Sequence, residues 1–455
     1  MAASMKADAH GEAAPPDGHV LPSSRQAYYS LFVLTIVVMF TVLDRQILGL
    51  MIEPVKQDFG ITDTQAALLL GAAFAFPYAI AGMPIARLAD SWNRRNLVAA
   101  CIGFWSLATV ACGFAQSYFH MFLARLGIGA GESGYGPATW SIVTDSFPRE
   151  KVAFGTATLS IGGTVGTGLA LFLGGAILVF TEHLPAVPLP FGGHIRPWQW
   201  AFIFVGLPGL LWALVVLTTR EPNRRGAVKG VKSTVPVRDV AAFMGDNWRV
   251  YIAVIGGLCM KMLMGTGMNQ WMPTFYHREF GWKIAEIGLI IGGMTLVIAP
   301  IALITGGKLS EYWMKRGTPD ANLRIVLYGL MLGVPVAILT PLMPTPWLVL
   351  AMSAVQLFLA SLGTGPGIAA FQIVTPNRMR AQVSSVYQFS THVISLTIGP
   401  LVVALLTDYL FGDPQAIKYS LSLCAALLGP VTILLVWQGL KPYARAYERA
   451  VREGY

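Results

Sequence analysis

The chain has 455 residues, of which 55% are hydrophobic and 12% are charged, and it carries a formal net charge of +9 at pH 7. Its mean hydropathy is +0.59. These values exclude an ordinary soluble domain, in which about a quarter of the residues are charged, and they predict a protein that crosses a membrane many times. The positive charge then indicates membrane topology and attraction to anionic lipid rather than a nucleic-acid surface.

Apolar segments long enough to cross a bilayer recur from one end of the chain to the other. About 20 mostly apolar residues are needed to cross a hydrocarbon core of about 30 Å. Glycine and proline within such segments are tolerated in membrane helices. We therefore predict an all-α membrane protein with twelve transmembrane helices, called spans one to twelve below: 28–52, 64–86, 96–116, 118–146, 153–180, 199–219, 250–274, 284–307, 322–341, 346–374, 380–408 and 418–439.

The remaining segments divide the chain into two halves. Residues 1–27 are polar and lack the apolar core of a secretory signal, so we expect a disordered cytoplasmic tail there, and a second tail at 441–455. The segment 220–249 holds seven basic residues and is too polar to enter lipid. It predicts a cytoplasmic linker between six-helix bundles at 28–219 and 250–440, with a short surface helix around the letters VRDVAAF.

The distribution of basic residues orients the chain, because lysine and arginine in short loops stay on the cytoplasmic side. Of the 32 lysines and arginines, 24 fall on the side of the N-terminus in a twelve-span arrangement and three lie within spans. Five fall on the other side: Lys56, Arg196, Arg278, Lys283 and Lys418. Both termini are therefore expected to be cytoplasmic.

One pattern recurs after about half the chain. The letters RLADSWNRRN at 87–96 return as KLSEYWMKRG at 308–317, with an offset of 221 residues. Each copy lies between the second and third spans of its half, so the two halves are predicted to share one architecture. In transporters built from two such repeats, the substrate site lies between them near mid-membrane.

Four segments carry a resemblance to a known family. GMPIARLADSWNRR at 82–95 resembles the cytoplasmic signature loop of the major facilitator superfamily. The segments LDRQILGLMIEPVKQDFGITDTQAALLLG at 43–71, RLGIGAGESGYGPATWSIVTDSFPREKVAFG at 125–155 and WMPTFYHREFGW at 271–282 resemble its spinster branch. The resemblance implies the major facilitator fold of two pseudo-symmetric bundles and a multi-pass protein of the bacterial inner membrane, monomeric as is usual in the superfamily. It also implies a secondary transporter of lysophospholipids or sphingoid-base phosphates that works by alternating access, with proton-driven movement proposed for bacterial members.

Four charged residues are predicted to lie inside the membrane on spans one and four: Asp44, Arg45, Arg125 and Glu132. Charges at mid-membrane are costly, and they normally face a cavity or pair with one another. Arg125 and Glu132 are seven residues apart and nearly on one helix face, whereas Asp44 and Arg45 point about 100° apart. We favour Asp44 as the partner of Arg125, with Arg45 nearer the substrate.

Two interpretations of these four residues remain open. In one, they form a structural ion network that holds spans one and four together. In the other, Glu132 carries the proton, alone or coupled with Asp44, because a change in its distance to an arginine between transport states would change its proton affinity. The letters GIGAGESGYGP at 127–137 place five glycines and a proline around Glu132, which favours close packing or a bend there.

Candidate substrate contacts are predicted on other spans. Lys261 is the third cation within spans, against two carboxylates, so an anionic head group fits best unless the lysine reaches an interface or a structural partner. Polar candidates are Asn269, Gln270 and His392, with a structural hydrogen bond as the alternative for the histidine. Side chains that could line an apolar tunnel for an acyl chain, or serve helix packing alone, are Phe74, Tyr78, Trp140, Met264, Trp271 and Phe371.

The signature loop predicts a gate at the cytoplasmic edge. Asp90 can meet a basic residue or a helix end of the other half. Arg94 and Arg95 can complete that latch or bind lipid phosphate, and Glu311 and Lys315 are their counterparts in the second half. A purely topogenic role for the arginines is the alternative.

The spans, the charged residues within them and the family resemblance leave three functions to consider. The first is transport of anionic amphiphiles driven by the proton gradient, and the second is proton-coupled transport of small water-soluble organic anions. The third, a membrane enzyme or receptor, is disfavoured because the sequence has no catalytic Ser/His/Asp cluster, metal-ligand spacing or phosphate loop. We therefore expect no enzyme activity, no cofactor and no bound metal. The expected partners are the amphiphilic anion, protons and membrane lipids.

Overall fold

The computed structural model describes residues 21–181, 187–188, 194–224, 235–376 and 378–453. Apolar segments become helices in a membrane because every backbone polar group in hydrocarbon must be hydrogen-bonded within the segment. Within the described ranges, eleven helices are long and apolar enough to cross a membrane. The fourth span makes the twelfth crossing in two shorter helices, separated at Ser133 and Gly134. The bend that the glycine-rich letters around Glu132 favour is thus a helix break.

The first half contains spans one to six and a two-stranded hairpin that joins spans five and six. Span one is α1 (Ser24–Phe59), span two is α2 (Asp63–Leu70) with α3 (Ala72–Ser91), span three is α4 (Arg94–Cys112), span four is α5 (Tyr118–Glu132) with α6 (Tyr135–Ser146), span five is α7 (Arg149–Thr181), the hairpin is β1 (Val187–Pro188) with β2 (His194–Ile195), and span six is α8 (Pro197–Leu217). The hairpin strands are antiparallel.

The second half follows the linker helix α9 (Val237–Asp246). Span seven consists of α10 (Trp248–Tyr251), a π-helical turn (Ile252–Gly256) and α11 (Gly257–Phe280), span eight is α12 (Ile284–Lys315), and span nine is α13 (Ala321–Leu339). Span ten consists of α14 (Pro346–Leu362) and α15 (Thr364–Ile373). Span eleven consists of α16 (Arg380–Phe389), a π-helical turn (Ser390–Ser395), α17 (Leu396–Leu405) and a second π-helical turn (Leu406–Phe411), and span twelve is α18 (Ile417–Glu453). Short 3₁₀ turns at Thr340–Leu342 and Pro414–Ala416 join the neighbouring helices.

The chain ends differ from the expected tails. Helix α1 already begins at Ser24, where the side chain of Ser23 accepts a hydrogen bond from the backbone N–H of Gln26. Helix α18 continues through most of the predicted C-terminal tail, because that segment is rich in good helix formers and buries Tyr443 completely. The linker contains α9 where the letters VRDVAAF indicate a short helix. The rest of the predicted N-terminal tail, residues 1–20, lies outside the described residues.

The two halves meet along spans five and eight, with further contacts of span one with span seven and of span two with span eleven. Close approach is possible because small residues lie at the crossing. A Cβ atom added at Gly292 on α12 would lie 2.4 Å from the backbone nitrogen of Phe172 on α7. The helices therefore touch backbone to backbone, and a larger residue at this glycine would force the halves apart.

The start of α1 and the end of α18 lie on one side of the helix bundle, called the terminal side below. Arg220 at the end of span six donates a hydrogen bond to Gln26 at the start of span one, at 3.3 Å. Arg449 near the end of span twelve donates to Asn247 at the start of span seven, also at 3.3 Å. The loops between spans one and two, and between spans seven and eight, lie on the other side, called the opposite side.

Candidate functional site

The intramembrane charges of the first half form an ion pair between Arg45 and Glu132. Nη2 of Arg45 lies 2.7 Å from Oε2 of Glu132, and Nε donates to the same oxygen at 2.8 Å. Glu132 is fully buried at the last residue of α5, just before the helix break, and its Oε1 has no hydrogen-bond partner among the residues that the structure describes. A buried carboxylate with one unsatisfied oxygen is costly, and the ion pair with Arg45 offsets part of that cost.

Asp44 and Arg125 are both buried beside that pair but do not form an ion pair with each other. Oδ1 of Asp44 accepts a hydrogen bond from Thr109 on α4 at 3.0 Å. Arg125 donates to the backbone carbonyls of Asp44 at 3.3 Å and Leu69 at 3.2 Å. The predicted pair of Asp44 and Arg125 is therefore wrong: Arg45 forms the ion pair, with Glu132, and Arg125 donates to backbone carbonyls. One of these carbonyls lies at the end of α2, where helix carbonyls lack intrahelical partners.

A row of rings continues from Arg45 to the second half. The guanidinium carbon of Arg45 lies 4.7 Å from the ring centre of Phe74 and 5.6 Å from that of Tyr78. The Tyr78 ring stacks on His392 of span eleven, with ring centres 5.9 Å apart and planes 11° apart. His392 donates from Nδ1 to the carbonyl of Gln388 at 2.9 Å. Glu132 is therefore connected through Arg45 and Tyr78 to a titratable side chain of the other half.

A cavity with a volume of about 580 Å³ lies between the halves. Its walls come from spans one and five of the first half and from spans seven to eleven of the second, and they are mainly apolar. Of the predicted residues, Lys261, Met264, Asn269 and Gln270 line it. The part of its wall that spans nine and ten contribute is mainly apolar, and we call this part of the cavity, within the second half, the apolar branch.

Lys261 is the charged residue among the described residues that line this cavity. Its Nζ lies 3.4 Å from Oγ1 of Thr364 on α15. No carboxylate oxygen lies within 4.0 Å of that nitrogen in the part of the chain that the structure describes. Gln270 reaches across to Gln46 on α1, with amide nitrogen and oxygen 3.5 Å apart. The cavity therefore holds a cation and several amides without an acidic partner.

Several aromatic residues predicted as tunnel lining occupy other positions. Trp271 is buried and donates from its indole to the carbonyl of Pro400 at 3.0 Å, and Phe371 packs behind Tyr387, with ring centres 5.1 Å apart. Trp140 is 37% exposed on α6. These three side chains are not among the residues that line the cavity, in contrast to the prediction. The reason is that the rotation of each helix about its axis decides which of its side chains face the cavity. The ring that lines the cavity beside Phe371 is that of Tyr387.

On the opposite side, Arg278 joins the halves. Its Nη2 lies 2.9 Å from Oε2 of Glu53 and 2.8 Å from Oδ1 of Asp63, and its Nη1 donates to Oδ2 of Asp63 at 2.9 Å. Lys56 also pairs with Asp63. We call Arg278, Glu53, Asp63 and Lys56 the opposite-side latch. In the sequence, Lys56 and Arg278 stand out only as basic residues on the side away from the N-terminus, and no pattern marks their acidic partners.

A second contact supports the latch. The backbone N–H and the hydroxyl of Thr64 at the start of α2 both donate to Oδ2 of Asp408 on span eleven, each at 2.6 Å. Together with the latch, this contact bridges the two halves on the opposite side. The cavity, by contrast, reaches residues near the terminal-side ends of spans nine and eleven, such as Val326 and Tyr387.

The arginines of the signature loop bind within their own half. Arg94 is 2% exposed, and its Nε lies 2.7 Å from Oε1 of Glu221 while Nη1 contacts Asp145 and Ser141. The backbone N–H of Arg95 donates to Oε2 of Glu221 at 2.9 Å. These contacts tie spans three, four and six together on the terminal side. The side chain of Asp90 lies outside the described residues, so the gate stays a prediction. The proposed counterparts, Lys315 and Glu311, form an exposed pair at 2.6 Å.

Comparison with known proteins identifies the family. The profile of the Major Facilitator Superfamily matches residues 34–400. The chain belongs to this superfamily. An MFS-type efflux pump of Mycolicibacterium smegmatis is 26% identical over 430 residues, which are 92% of this chain and 94% of the pump. Protein spinster of Drosophila melanogaster is 24% identical over 337 residues, which are 70% of this chain and 52% of that protein.

A solved structure has the same fold. The crystal structure of a bacterial homologue of the human lysosomal transporter Spinster, in an inward-facing and unoccupied conformation, matches with a TM-score of 0.78 at 24% identity. The match covers 95% of this chain and 99% of that one. The predicted class is thereby confirmed: the chain has the major facilitator fold, resembles the spinster proteins, and is a membrane transporter rather than an enzyme.

Proposed function

We propose that the protein is a proton-coupled secondary transporter of anionic amphiphiles, of the lysophospholipid or sphingoid-base phosphate type. The observation that carries the proposal is the mainly apolar cavity of about 580 Å³ with Lys261 on its wall. This volume falls within the range of about 300–1,000 Å³ that is typical of small-molecule sites. A cavity with one cation and apolar walls fits a ligand with one anionic end and a long apolar tail.

Lys261 supports a position for the anionic head group. A charge within the membrane is costly unless it is paired or hydrated, and Nζ of Lys261 has only the hydroxyl of Thr364 at 3.4 Å as its protein partner in the described residues. A phosphate at this nitrogen would supply the missing counter-charge. The amides of Asn269 and Gln270, two turns farther along α11, are available to the polar part that follows the phosphate.

The apolar branch of the cavity supports a position for the tail. Met264 and Met268 of α11 line it from one side, and Leu330 and Val334 of α13 line it from another. Thioether side chains are flexible and polarizable, so they adapt to chains of different length and curvature. The branch lies within the second half, so the tail would remain packed there while the halves move relative to each other.

The pair of Arg45 and Glu132 supports proton coupling. Glu132 is fully buried, with Oε2 held by Arg45 and Oε1 without a partner. Protonation at Oε1 would neutralise the carboxylate and weaken its hold on Arg45, which in turn contacts Phe74 and Tyr78. The proton would thereby change the contact between Tyr78 and His392, which joins the two halves. Asp44 remains available as a second, coupled site.

We further propose that the terminal side is cytoplasmic, that the protein lies in the bacterial inner membrane and that it works as a monomer. The excess of basic residues on the terminal side supports this orientation. With it, the opposite-side latch is an external gate, and the conformation described here is closed to the outside. Alternating access would then require the latch to open and the terminal-side ends of the halves to approach each other.

A second candidate is the transport of small water-soluble organic anions. Polar residues of the cavity wall favour it: Gln46 and Gln270 meet across the halves, and Asn269 also lines the cavity. Such a group could bind the hydroxyls and carboxylate of a sugar acid next to Arg45. In that case the apolar branch would have no role in transport.

Uptake into liposomes that contain the purified protein distinguishes the two candidates. Radiolabelled lysophosphatidic acid, sphingosine phosphate and gluconate are each offered with and without an imposed pH gradient, and protein-free liposomes correct for passive lipid entry. We expect gradient-dependent, saturable movement of at least one phosphate amphiphile and none of gluconate. Gradient-dependent movement of gluconate alone would favour the second candidate, and no gradient effect on any of them would contradict proton coupling.

A further inference from the structure

A second concave site lies on the terminal side of the second half, separate from the transport cavity. It has a volume of about 310 Å³ and is formed by the junction of α9 and α10 together with the last part of α18. Three arginines line it: Arg249 at the start of span seven, and Arg445 and Arg449 on α18. We call this site the arginine pocket.

The arginines of the pocket are available for an anion. No carboxylate oxygen lies within 4.0 Å of any of the three guanidinium groups in the part of the chain that the structure describes. Asp246 also lines the pocket, but it forms no ion pair with them at that distance. Arg449 donates one hydrogen bond, from Nη1 to the side-chain oxygen of Asn247, at 3.3 Å. Most of the fork-shaped donors, which match the oxygens of a phosphate, therefore have no acceptor in the described part of the chain.

An exposed indole adjoins the arginines. Trp248 is 54% exposed, and the guanidinium carbon of Arg249 lies 5.4 Å from the centre of its ring. This contact orients Arg249 while leaving the edge of its guanidinium free for hydrogen bonds. Tryptophan is enriched where a membrane protein meets the head-group layer, because its ring is apolar and its N–H is polar.

The length of α18 puts the pocket at the level of the head groups. The helix has 37 residues, which is about 55 Å at a rise of about 1.5 Å per residue. A hydrocarbon core of about 30 Å takes up only about 20 of them. Since α18 begins at Ile417 on the opposite side, its last dozen residues, with Arg445 and Arg449, extend beyond the core on the terminal side.

Topology alone does not account for this arrangement. The rule that orients membrane proteins requires only an excess of basic residues in the loops on one side. It does not require that arginines about 200 positions apart in the chain converge on one concavity, as Arg249 and Arg449 do. Scattered basic residues on the same side, such as Arg316 and Arg378, satisfy the rule and lie outside the pocket.

We propose that the arginine pocket binds a phosphate-bearing anion, either the head group of an anionic lipid in the adjacent leaflet or free phosphate from solution. Arg249, Arg445 and Arg449 donate to the phosphate oxygens, and Trp248 packs against the ligand at the head-group level. A bound anion joins the linker region before span seven to the end of span twelve. Occupancy therefore restrains the junction of α9 and α10 against the end of α18.

Lipid binding to the full-length purified protein tests the proposal. Native mass spectrometry counts bound phosphatidylglycerol, with phosphatidylcholine as the neutral comparison, and a parallel titration uses inorganic phosphate alone. The test variant is R445Q/R449Q. The matched control is R316Q/R378Q, which removes two exposed arginines from the same side of the same half. Size-exclusion chromatography and melting temperature confirm that both variants are folded.

We expect the pocket variant to bind phosphatidylglycerol about tenfold more weakly than the wild-type protein, with the control variant and phosphatidylcholine binding unchanged. That result supports the proposal with a lipid as the source. Unchanged phosphatidylglycerol binding together with loss of inorganic phosphate binding in R445Q/R449Q supports a soluble source. Equal binding of both probes by the wild-type protein and the pocket variant overturns the proposal, and so does an equal loss in both variants.

Discussion

Replacing Arg278 with glutamine should open the opposite side of the transporter. Arg278 is the residue of the second half that binds Glu53 and Asp63 of the first half, with three contacts of 2.8–2.9 Å. Its side chain is 5% exposed, and those of Glu53 and Asp63 are 11% and 1% exposed. The substitution therefore breaks a buried charge network that joins the two halves on the opposite side.

The size of the effect follows from these contacts. Removing one partner of a buried ion pair costs about 3–5 kcal/mol. Lys56 remains beside Asp63 and compensates for part of the lost charge, so the lower value of about 3 kcal/mol applies. Since about 1.4 kcal/mol corresponds to a tenfold change in an equilibrium constant, the ratio of opposite-side-closed to opposite-side-open molecules should fall by roughly a hundredfold.

Distances between spin labels measure this ratio. Cysteines at Gln57 of the first half and Gln415 of the second, both exposed on the opposite side, carry the labels, and the four native cysteines are buried. Lys418→Gln is the matched control, because it removes one cation from a pair with Glu279 that lies wholly within the second half. Arg278→Gln should add a longer distance that the control lacks. An identical distance distribution in both variants and the wild type would refute the assignment of the latch as a gate.

Three further predictions concern other parts of the molecule. Lys261→Gln should weaken the binding of a lysophospholipid at least about tenfold, because the ion pair between Lys261 and the lipid phosphate is lost in the membrane interior. Lys261→Arg should retain most of the affinity. Equal affinities of the wild type and both variants, measured by thermophoresis, would contradict the head-group assignment. Gly71→Ala should favour the state that is open on the opposite side, since the added Cβ would lie 2.3 Å from the carbonyl oxygen of Leu396, and the same spin-label distances should lengthen. Arg94→Gln should lower the melting temperature in detergent, because a 2%-exposed arginine bound to Asp145 and Glu221 is worth about 3 kcal/mol or more; an unchanged melting temperature would argue against this role.

The sequence predicts the fold well because the bilayer imposes a length on every apolar segment. All twelve predicted spans correspond to helical crossings, and their ends differ by several residues where amphipathic helices continue beyond the bilayer, as α18 does. The break at Ser133 and Gly134 is indicated by the surrounding glycines. Its position could not be derived, because it depends on how α5 and α6 pack against neighbouring helices.

The sequence predicts which charged residues belong to the candidate site, but not which of them form ion pairs or hydrogen bonds with one another. Asp44, Arg45, Arg125 and Glu132 stand out because charge inside a membrane is costly and therefore has a partner or a purpose. Which carboxylate meets which guanidinium depends on the rotation of each helix about its axis, and on acceptors such as the carbonyl of Leu69 that no side-chain pattern reveals.

The opposite-side latch was missed for a related reason. Glu53 and Arg278 lie at the ends of spans, where charges are common, and they are 225 positions apart in the chain. Only the folded arrangement of the two halves brings them together. A sequence pattern with the period of a helix carries no information about contacts between halves.

Substrate-dependent proton flux tests most directly whether transport is coupled to a proton at Glu132. Liposomes that contain the purified protein and an internal pH-sensitive dye receive lysophosphatidic acid or sphingosine phosphate, with Glu132→Gln and Glu279→Gln measured alongside. Glu279 is the control because its ion pair with Lys418 lies away from the site. We expect proton flux that requires the lipid, persists in Glu279→Gln and is lost in Glu132→Gln while the variant remains folded. Lipid-dependent proton flux of wild-type size in Glu132→Gln would contradict it.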